Sequence, residues 1–442
     1  MLIVNGTLAT MDDRERLISD GAILVEGDRI AAVGTSRDLQ ARHPGEQRLD
    51  AGGRLVMPGL ICAHTHFYGA FARGMALPGD PPGNFSQILE RLWWRLDKAL
   101  DEEAVRYSAL VCLVDAIRHG TTTLIDHHAS PHAIDGSLDI IAEATSQAGV
   151  RASLCYEVTD RDGSDRRRAG IAENARFIAA VQAAANPLLG ASFGLHASLT
   201  LSDETLEEAA AAAAPLDAGF HLHVAEGLAD QQDSLRRSGQ PVVERLYRHG
   251  ILGKKTIAAH CIHVDDAEID LLRETGTRVV HNPRSNMNNA VGTARLADFL
   301  GRGMPVGLGN DGFSNNMFTE MHVAYLVHKM AQADPRAMPA DTLLRMVFVH
   351  NAETASLFFP GPLGQLSPGA LADLILVDYY PTTPLTAGNL PWHVIFGIDG
   401  TGVDTTIVGG RVLMRHRELL TLEEAAITAR SRQLAAQAWQ QL

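Results

Sequence analysis

Hydrophobic and polar positions follow two different rhythms along this chain. Short apolar runs separated by Asn-Gly and Gly-Asp turns fill residues 1–57, and similar runs with Gly-rich turns return after residue 360. Between these ends, apolar runs of strand length alternate with longer segments of helical spacing. Runs joined by tight turns are typical of antiparallel strands, whereas regular strand–helix alternation is typical of a parallel sheet. The pattern therefore predicts two different kinds of domain.

The central part, residues 58–359, contains eight apolar runs, most of them separated by helical segments. In chain order the runs lie in VMPGLICAHTH, GTTTLIDHH, RASLCYEV, LLGASFGLHA, GFHLHVAE, TIAAHCIHV, TRVVHNP and PVGLGNDG. The segment LDEEAVRYSALVCLVDAIRHG predicts a helix with Asp101 as its N-cap and an end at Gly120. Eight strands that alternate with helices predict an α/β fold of the (β/α)8 TIM-barrel type.

The strand-like runs at either end are too few to bury a good core separately. We therefore expect residues 1–57 and 360–442 to form one small β-sandwich built from both chain termini. Within it, AILVEGDRIAAVG is expected to pair with ADLILVDYY, because each would cover an edge of the other. Apolar positions at helical spacing in TLEEAAITARSRQLAAQAWQQL predict a helix at the C-terminus.

Composition and charge narrow the classes of function. The 442 residues are 46% hydrophobic and 20% charged, which is ordinary for a globular protein. A net charge of −14 argues against nucleic acid or an anionic membrane as a partner. The N-terminus lacks the features of a secretory signal, no apolar stretch reaches membrane-spanning length, and the four cysteines form no CxxC pair. These features predict a cytoplasmic protein with reduced cysteines.

Polar side chains stand at the ends of seven of the eight predicted strands. The carboxyl ends of the strands of such a barrel meet at one mouth, where its chemistry lies. In chain order these residues are His64 and His66, Asp126 to His128, His196, His223 and Glu226, His260 and His263, His281 and Asn282, and Asp311.

Four of these residues, His64, His66, His223 and Asp311, are predicted to bind one divalent metal ion. Positions i and i+2 of a strand share a face, so His64 and His66 leave the first strand together. A catalytic ion takes three or four nitrogen or oxygen ligands and keeps one position open. Three imidazoles and a carboxylate favour zinc, with iron or manganese as alternatives. The third and fourth runs contain no lysine, which argues against a carbamylated lysine that bridges two ions.

Each proposed ligand has an alternative interpretation. His64 and His66 can be core histidines with satisfied hydrogen bonds. His221 shares its strand face with His223 and can replace it as the ligand. Asn310-Asp311-Gly312 is also a good hairpin signal.

Glu226, His260 and Asp311 are the predicted catalytic residues. Glu226 lies just past the strand that carries His223, where it can take a proton from an activated water and give it to a leaving group. His260 faces the same mouth and is expected to hold the tetrahedral centre together with Asp311. The alternatives are a solvated loop position for Glu226 and a core position for His260, bonded to a backbone carbonyl.

Residues around the predicted mouth are candidates for substrate binding. A structural hydrogen bond within the rim is the alternative for each of them. His127 and His128 point to opposite sides, and the pattern leaves open which of them faces the mouth. The predicted substrate-binding residues are Tyr68, Arg73, His128, His196, His281 and Asn286.

Several motifs resemble the amidohydrolase superfamily, in its one-metal deaminase and chlorohydrolase branch. They are PGLICAHTH (58–66), GTTT (120–123), HLHVAE (221–226), HC (260–261), HNPRSN (281–286), NDG (310–312) and LSPGALADLILVD (366–378). Further segments look like the SsnA-type aminohydrolases: LWWRLDKALDEE (92–103), IDHHASP (125–131), RSNMNNAVG (284–292) and PTTPLTAGNL (381–390).

The resemblance implies a metal-dependent aminohydrolase of the cyclic amidine deaminase type. Such an enzyme releases ammonia from an amino-substituted heterocycle or amidine by attack of a metal-bound hydroxide. A hydrolytic dehalogenase of a triazine-like ring is one alternative, and a metal-binding accessory protein without catalysis is another. We expect a small-molecule substrate and a homo-oligomer. The chain departs from the family at Asn310, where threonine is usual, and at HASL (196–199), which leaves the substrate open.

Overall fold

The computed structural model describes residues 1–14 and 16–442. The strands are β1 Leu2–Ala9, β2 Leu17–Glu26, β3 Arg29–Thr35, β4 Arg48–Asp50, β5 Leu55–Pro58, β6 Leu60–Thr65, β7 Thr121–Asp126, β8 Arg151–Leu154, β9 Leu189–Ala191, β10 Phe193–Ala197, β11 Phe220–Val224, β12 Ile257–His260, β13 Arg278–His281, β14 Val306–Leu308, β15 Leu374–Val377, β16 Val403–Val408, β17 Arg411–Arg415 and β18 Glu418–Leu419.

The α-helices connect most of these strands. They are α1 Ser36–Arg42, α2 Phe85–Ile88, α3 Trp94–Leu96, α4 Glu102–Arg118, α5 Ser137–Ala148, α6 Ser164–Ala184, α7 Asp203–Ala213, α8 Leu228–Ser238, α9 Val242–Arg248, α10 Asp266–Thr275, α11 Pro283–Asn288, α12 Leu296–Gly301, α13 Met317–Gln332, α14 Ala340–Arg345, α15 Asn351–Ala355, α16 Leu390–Gly397 and α17 Glu424–Trp439. Short 3-10 turns include Phe67–Ala72 and Asp97–Ala99, and a π turn spans Leu89–Trp93.

Strands β6 to β14 form the barrel, as two parallel sheets in the orders β6-β7-β8-β9 and β10-β11-β12-β13-β14. The fourth predicted run holds both β9 and β10, with Ser192 between them. At the other seam, His66 N donates to Asp311 O at 3.0 Å and Asn310 N donates to His64 O at 3.0 Å. The eighth strand therefore returns to the first, and the predicted (β/α)8 barrel with both termini in one β-structure is confirmed.

Strands from both chain ends share one sheet of the order β18-β17-β16-β15-β5-β1-β2-β3, with β4 beside β1. The sheet folds over a common core in which Ile23 and Ile30 from the N-terminal part pack with Leu374, Leu376 and Ile407 from the C-terminal part. Neither the N-terminal nor the C-terminal strands form a complete hydrophobic core by themselves, so the two chain ends fold as one unit. The division at residues 57/58 and 359/360 stays a prediction, which this pairing supports.

One predicted pairing is only partly right. Strand β15 pairs with β5, in the register Leu376 to Val56, and not with β2 or β3. The first residues of β3 instead bond to the segment before β15, where Ile30 N donates to Ala370 O at 2.9 Å. The apolar pattern identifies these strands, but it does not specify their neighbours because several edges offer the same hydrogen bonds.

Two helix predictions are confirmed. The Asp101 side chain accepts a hydrogen bond from Ala104 N at 2.8 Å and caps α4, whose last residue is Arg118. The C-terminal helix α17 packs against α4. Its Trp439 donates from Nε1 to Phe71 O at 2.8 Å, and thus supports the turn that follows the first strand of the barrel. In the part of the chain that the structure describes, no helix has the length and apolar character needed to cross a membrane.

The shared core makes a stability prediction. Leu376 is 1% exposed and Leu420 is 57% exposed. Replacing Leu376 by Ala leaves a cavity between strands of the two chain ends, and is expected to lower the free energy of unfolding by about 2–5 kcal/mol in urea denaturation. Leu420→Ala is the matched control, with an expected change within about 0.5 kcal/mol. Equal effects of the two substitutions would contradict a shared core.

Candidate metal centre and active site

The predicted ligands and the predicted catalytic residue His260 stand at the carboxyl ends of barrel strands, as the fold requires. His64 lies near the end of β6, His223 lies on β11, and His260 is the last residue of β12. Asp311 follows β14. The chain turns sharply here: φ is 72° at His260, 57° at Asp311 and 46° at Ala225, which precedes Glu226. Such conformations cost about 1–3 kcal/mol each and tend to cluster at functional sites.

A ring nitrogen of His66 faces a ring nitrogen of His223. His66 Nδ1 lies 2.6 Å from His127 O and His223 Nδ1 lies 2.9 Å from His196 O, so each Nδ1 must carry the proton it donates. The two Nε2 atoms are 3.1 Å apart. In the neutral rings both Nε2 atoms present lone pairs, which repel at this distance unless a cation or a proton lies close by. This pair is the first indication that a positive ion belongs here.

His64 gives the second indication. Its Nδ1 lies 2.8 Å from His221 Nε2, so His221 stands behind His64 as a support. The Nε2 of His64 is buried and has no hydrogen-bond partner among residues 1–14 and 16–442. This atom lies 3.7 Å from Asp311 Oδ1. A buried nitrogen left without a partner, next to a carboxylate, fits a metal ligand.

Asp311 supplies the carboxylate of the cluster. Its Oδ1 lies 3.0 Å from His66 Nε2, and its Oδ2 accepts a hydrogen bond from Ser285 Oγ at 2.5 Å. Burial raises the pKa of Asp311, but the contact with His66 and the neighbouring imidazoles of His260 and His223 outweigh burial and hold that pKa well below its ordinary value. The group is thus an anion in the centre of the histidines.

His260 lies closer to this cluster than the sequence indicates. Its Nδ1 is 2.8 Å from Asn286 Oδ1, so the proton sits on Nδ1 and the lone pair of Nε2 faces Asp311 Oδ2 at 3.8 Å. One ligand atom from each of His64, His223, His260 and Asp311 lies within 4.8 Å of the others. The four nitrogen and oxygen donors fit a zinc-type ion. His260, expected only as a catalytic residue, is therefore also within reach of the ion.

Glu226 lies beside His260, with 3.6 Å between Glu226 Oε2 and His260 Nε2. Its other oxygen accepts a hydrogen bond from Asn289 Nδ2 at 3.2 Å. Burial raises the pKa of Glu226 to about 7. A carboxyl group with such a pKa both accepts and donates a proton near neutral pH, which suits a general acid/base.

A cavity of about 620 Å³, including its open mouth, lies above the cluster and has Glu226 in its wall. Aromatic rings of Phe85, Trp93 and Trp94 line another part of the wall. The mixture of polar and aromatic lining residues is typical of a site for a small aromatic molecule.

Two of the six predicted substrate-binding residues, Tyr68 and His196, line this cavity. His196 Nδ1 lies 2.6 Å from Thr200 Oγ1. Burial lowers the pKa of His196 to about 3, so its ring is neutral.

The other four lie elsewhere. Arg73 is exposed and lines a separate cavity between α4 and α17. His128 is buried against Ser130, and His281 Nε2 lies 3.1 Å from His328 Nε2 behind the site. Asn286 holds His260 and does not line the cavity. The sequence places these residues after strand ends, but the direction of each side chain depends on the local turn.

His127, left open beside His128, turns to the barrel interior. Its Nε2 lies 3.0 Å from both Leu195 O and His221 O, and its Nδ1 lies 3.2 Å from Glu157 Oε2. His127 thus supports the floor of the site, and neither neighbour lines the cavity.

Three polar residues at the site were missed by the sequence analysis: Glu157, Ser285 and Asn289. Glu157 follows β8 and lines the cavity. Burial raises its pKa, but His196, His127 and Arg161 outweigh burial and hold that pKa well below its ordinary value. The rule that polar residues at strand ends form the mouth applies equally to the third strand, and would have found Glu157.

The comparisons with known proteins agree with this geometry. A model of the amidohydrolase family matches residues 55–413, and one of the imidazolonepropionase-like composite domain of bacteria matches residues 21–45. The chain belongs to the amidohydrolase family. It is 32% identical to a 5'-deoxyadenosine deaminase of Methanosarcina mazei, over 98% of this chain and 97% of that one. It is 34% identical to a 5-methylthioadenosine/S-adenosylhomocysteine deaminase of Syntrophobacter fumaroxidans, over the same shares.

Solved structures of similar proteins have the same fold. An adenosine deaminase of Xanthomonas campestris with bound zinc superposes with a TM-score of 0.88, at 26% identity, over 99% of this chain and 98% of that one. An atrazine chlorohydrolase of Arthrobacter aurescens, complexed with zinc, gives a TM-score of 0.84 at 24% identity, over 98% and 99%. The predicted family and the predicted class, an aminohydrolase acting on C–N bonds, are thereby confirmed.

The cluster predicts metal dependence that is specific to its members. Replacing His223 by Ala removes a buried lone pair that faces His66, so bound zinc, measured by elemental analysis, is expected to fall well below that of the unchanged protein. His128→Ala is the matched control, since this buried histidine points away from the cluster, and its zinc content should be unchanged. Full zinc retention in His223→Ala would contradict the proposed ligand set.

Proposed function

We propose that this amidohydrolase holds one zinc ion and releases ammonia from an amino-substituted purine or a related heterocycle. The observation that carries the proposal is the position of Glu226, 3.6 Å from His260 at the edge of the ligand cluster and in the wall of the cavity. A buried carboxyl group that exchanges protons near neutral pH beside a metal site suits hydrolytic removal of an amine.

The proposed ligands are His64, His66, His223 and Asp311, with His260 close enough to join them. Zinc is proposed because imidazole nitrogens and a carboxylate suit it and because the similar adenosine deaminase was solved with zinc bound. When bound, such an ion acts as a Lewis acid and lowers the pKa of water toward about 7.

The residues of the chain perform the proton transfers. Glu226 takes a proton from the attacking water and gives it to the departing nitrogen, because an amine leaves poorly without a proton. Asn286 keeps the proton of His260 on Nδ1, so that Nε2 faces the reacting atoms as an acceptor. Ser285 holds the Asp311 carboxylate by its hydrogen bond to Oδ2.

The substrate class is proposed from the relatives and the residues that line the cavity. The named relatives act on 5'-deoxyadenosine, methylthioadenosine and S-adenosylhomocysteine, all of which contain an aminopurine. Trp93 and Phe85 offer apolar faces on which a flat ring can pack, with Tyr68 and His196 as polar contacts.

We also propose that the protein is a cytoplasmic homo-oligomer. All four cysteines are buried free thiols, which suits a reducing compartment. Exposed apolar side chains on two packed helices, Leu326 and Met330 of α13 with Trp392 and Phe396 of α16, form a surface that a second copy can cover. Analytical ultracentrifugation tests the oligomer, and a monomer at micromolar concentration would contradict it.

The mechanism predicts the effect of Glu226→Gln. The substitution keeps the size and the hydrogen-bonding side chain but removes the proton carrier, so kcat is expected to fall by about 10²–10⁴ while the zinc content stays unchanged. Ammonia release from a panel of aminopurine nucleosides, aminopurine bases, pterins and aminopyrimidines measures it. Exposed Glu90 on the segment over the cavity gives the control, because Glu90→Gln should keep the full rate.

Two outcomes would contradict the proposal. Near-normal turnover of Glu226→Gln would remove Glu226 from the mechanism. Release of chloride from a halogenated triazine, with no ammonia from any member of the panel, would assign the protein to the hydrolytic dehalogenases instead.

A further inference from the structure

We infer that Glu157 and His196 form a recognition subsite for a substrate edge that carries two neighbouring hydrogen-bond donors, such as an amidine or a ring N–H beside an amino group. This inference rests on the proposed function, because it names the substrate class of the same cavity.

Glu157 lies on one side of the ligand cluster and Glu226 on the other. One carboxylate oxygen of Glu157 lies within 4.8 Å of ligand atoms of His196 and His223, whereas Glu226 lies beside His260. Glu157 is 3% exposed and lines the cavity. The mechanism above uses Glu226 for proton transfer and leaves Glu157 without a role, although a buried carboxylate is costly to keep.

The hydrogen bonds around His196 determine which of its atoms faces the cavity. Thr200 Oγ1 donates to Ala197 O at 3.1 Å, so its lone pair accepts the proton of His196 Nδ1 at 2.6 Å. The Nε2 of His196 is then an acceptor, and it lies 3.7 Å from Glu157 Oε1. Two acceptors therefore stand side by side at the cavity wall, too far apart and too alike to bond to each other.

The position of Glu157 is fixed from behind. Arg161 Nη2 donates to Glu157 Oε1 at 3.3 Å and to Asp97 Oδ2 at 3.0 Å, so one guanidinium is shared by two buried carboxylates. His127 Nδ1 lies 3.2 Å from the other oxygen of Glu157 but makes no hydrogen bond to it, because the His127 proton sits on Nε2, which bonds to Leu195 O and His221 O. A carboxylate offers about four lone-pair directions, so acceptor capacity remains on the cavity side.

Two hydrogen-bond acceptors held in fixed positions favour a substrate that carries two hydrogen-bond donors. An amidine, or a ring N–H beside an amino group, presents two N–H bonds to Glu157 and His196 together. A ring edge whose nitrogens carry only lone pairs places hydrogen-bond acceptors opposite the two acceptors of the subsite. Such an edge loses the hydrogen bonds that it makes in water. The subsite thus favours edges that present two N–H donors over edges that present a carbonyl oxygen or an unprotonated ring nitrogen.

The test is binding of two probes of one shape to the zinc-loaded protein, measured by calorimetry. Benzamidine carries donors on both nitrogens, whereas benzamide has a carbonyl acceptor in place of one of them. The unchanged protein should bind benzamidine more tightly, and Glu157→Gln should weaken benzamidine on the order of 10- to 100-fold with little effect on benzamide. Zinc content should not change.

Glu226→Gln is the matched control, because it alters the other carboxylate of the same cavity, and it should keep the preference for benzamidine. Glu157→Asp is a second variant for the case that Glu157→Gln does not fold. It keeps both oxygens and should keep the preference, with lower affinity.

Several results would overturn the inference: no preference for benzamidine in the unchanged protein, an unaltered preference in Glu157→Gln, or a preference that depends on Glu226 only. Loss of the preference in a folded Glu157→Asp would also overturn it. The binding measurement needs no turnover. A protein that binds benzamidine through Glu157 but releases no ammonia would therefore contradict the proposed function alone.

Discussion

The structure depends on a buried cluster of nitrogen and oxygen lone pairs that the fold holds close together. Backbone carbonyls hold the Nδ1 protons of His66 and His223, so their Nε2 atoms meet at 3.1 Å. Beside them lie the Asp311 carboxylate and the Nε2 of His64, which has no hydrogen-bond partner among the described residues. Such a group is unfavourable in a buried place unless a cation balances it. The barrel supplies the rigidity that keeps the histidines from turning away, since each one stands on or next to a paired strand.

The surrounding polar residues follow from this convergence. A ligand must be oriented before the ion arrives, so His221 stands behind His64, Ser285 holds Asp311 and Asn286 holds His260. The left-handed turns at His260 and Asp311 store strain that the packed strands around them must offset. The terminal β-structure and α17 lie outside this centre, but Trp439 of α17 bonds to Phe71 in the turn after the first ligands, and so braces the site.

The sequence predicts this centre better than the cavity around it. Strand ends are visible as apolar runs followed by polar residues, and barrel geometry brings such ends together. His64, His66, His223, Glu226, His260 and Asp311 could therefore be proposed from the sequence as one cluster. Arg73 and Asn286 were placed on the rim because they follow strand ends closely. The direction of a side chain in a turn depends on local dihedral angles that no periodic pattern records. The pairing of β15 with β5 could not be predicted from the pattern either, because free strand edges all offer the same hydrogen bonds.

The side of the site with the histidine cluster and the side with Glu157 differ in how freely their residues can be substituted. The metal side is fixed by strands, whereas the side that carries Glu157 and His196 belongs to the ends of β8 and β10 and the segments after them. Arg161 joins this side to Asp97, which closely follows the cavity-lining Trp93 and Trp94 along the chain. The guanidinium also packs over the Trp94 ring at 4.9 Å. A change at Glu157 would leave Arg161 and Asp97 imperfectly paired in a buried place, so the acceptor pair and the aromatic wall are expected to change together. We therefore expect Glu157, His196 and the aromatic wall to determine substrate specificity as one coupled unit, beside a histidine cluster that need not change with the substrate.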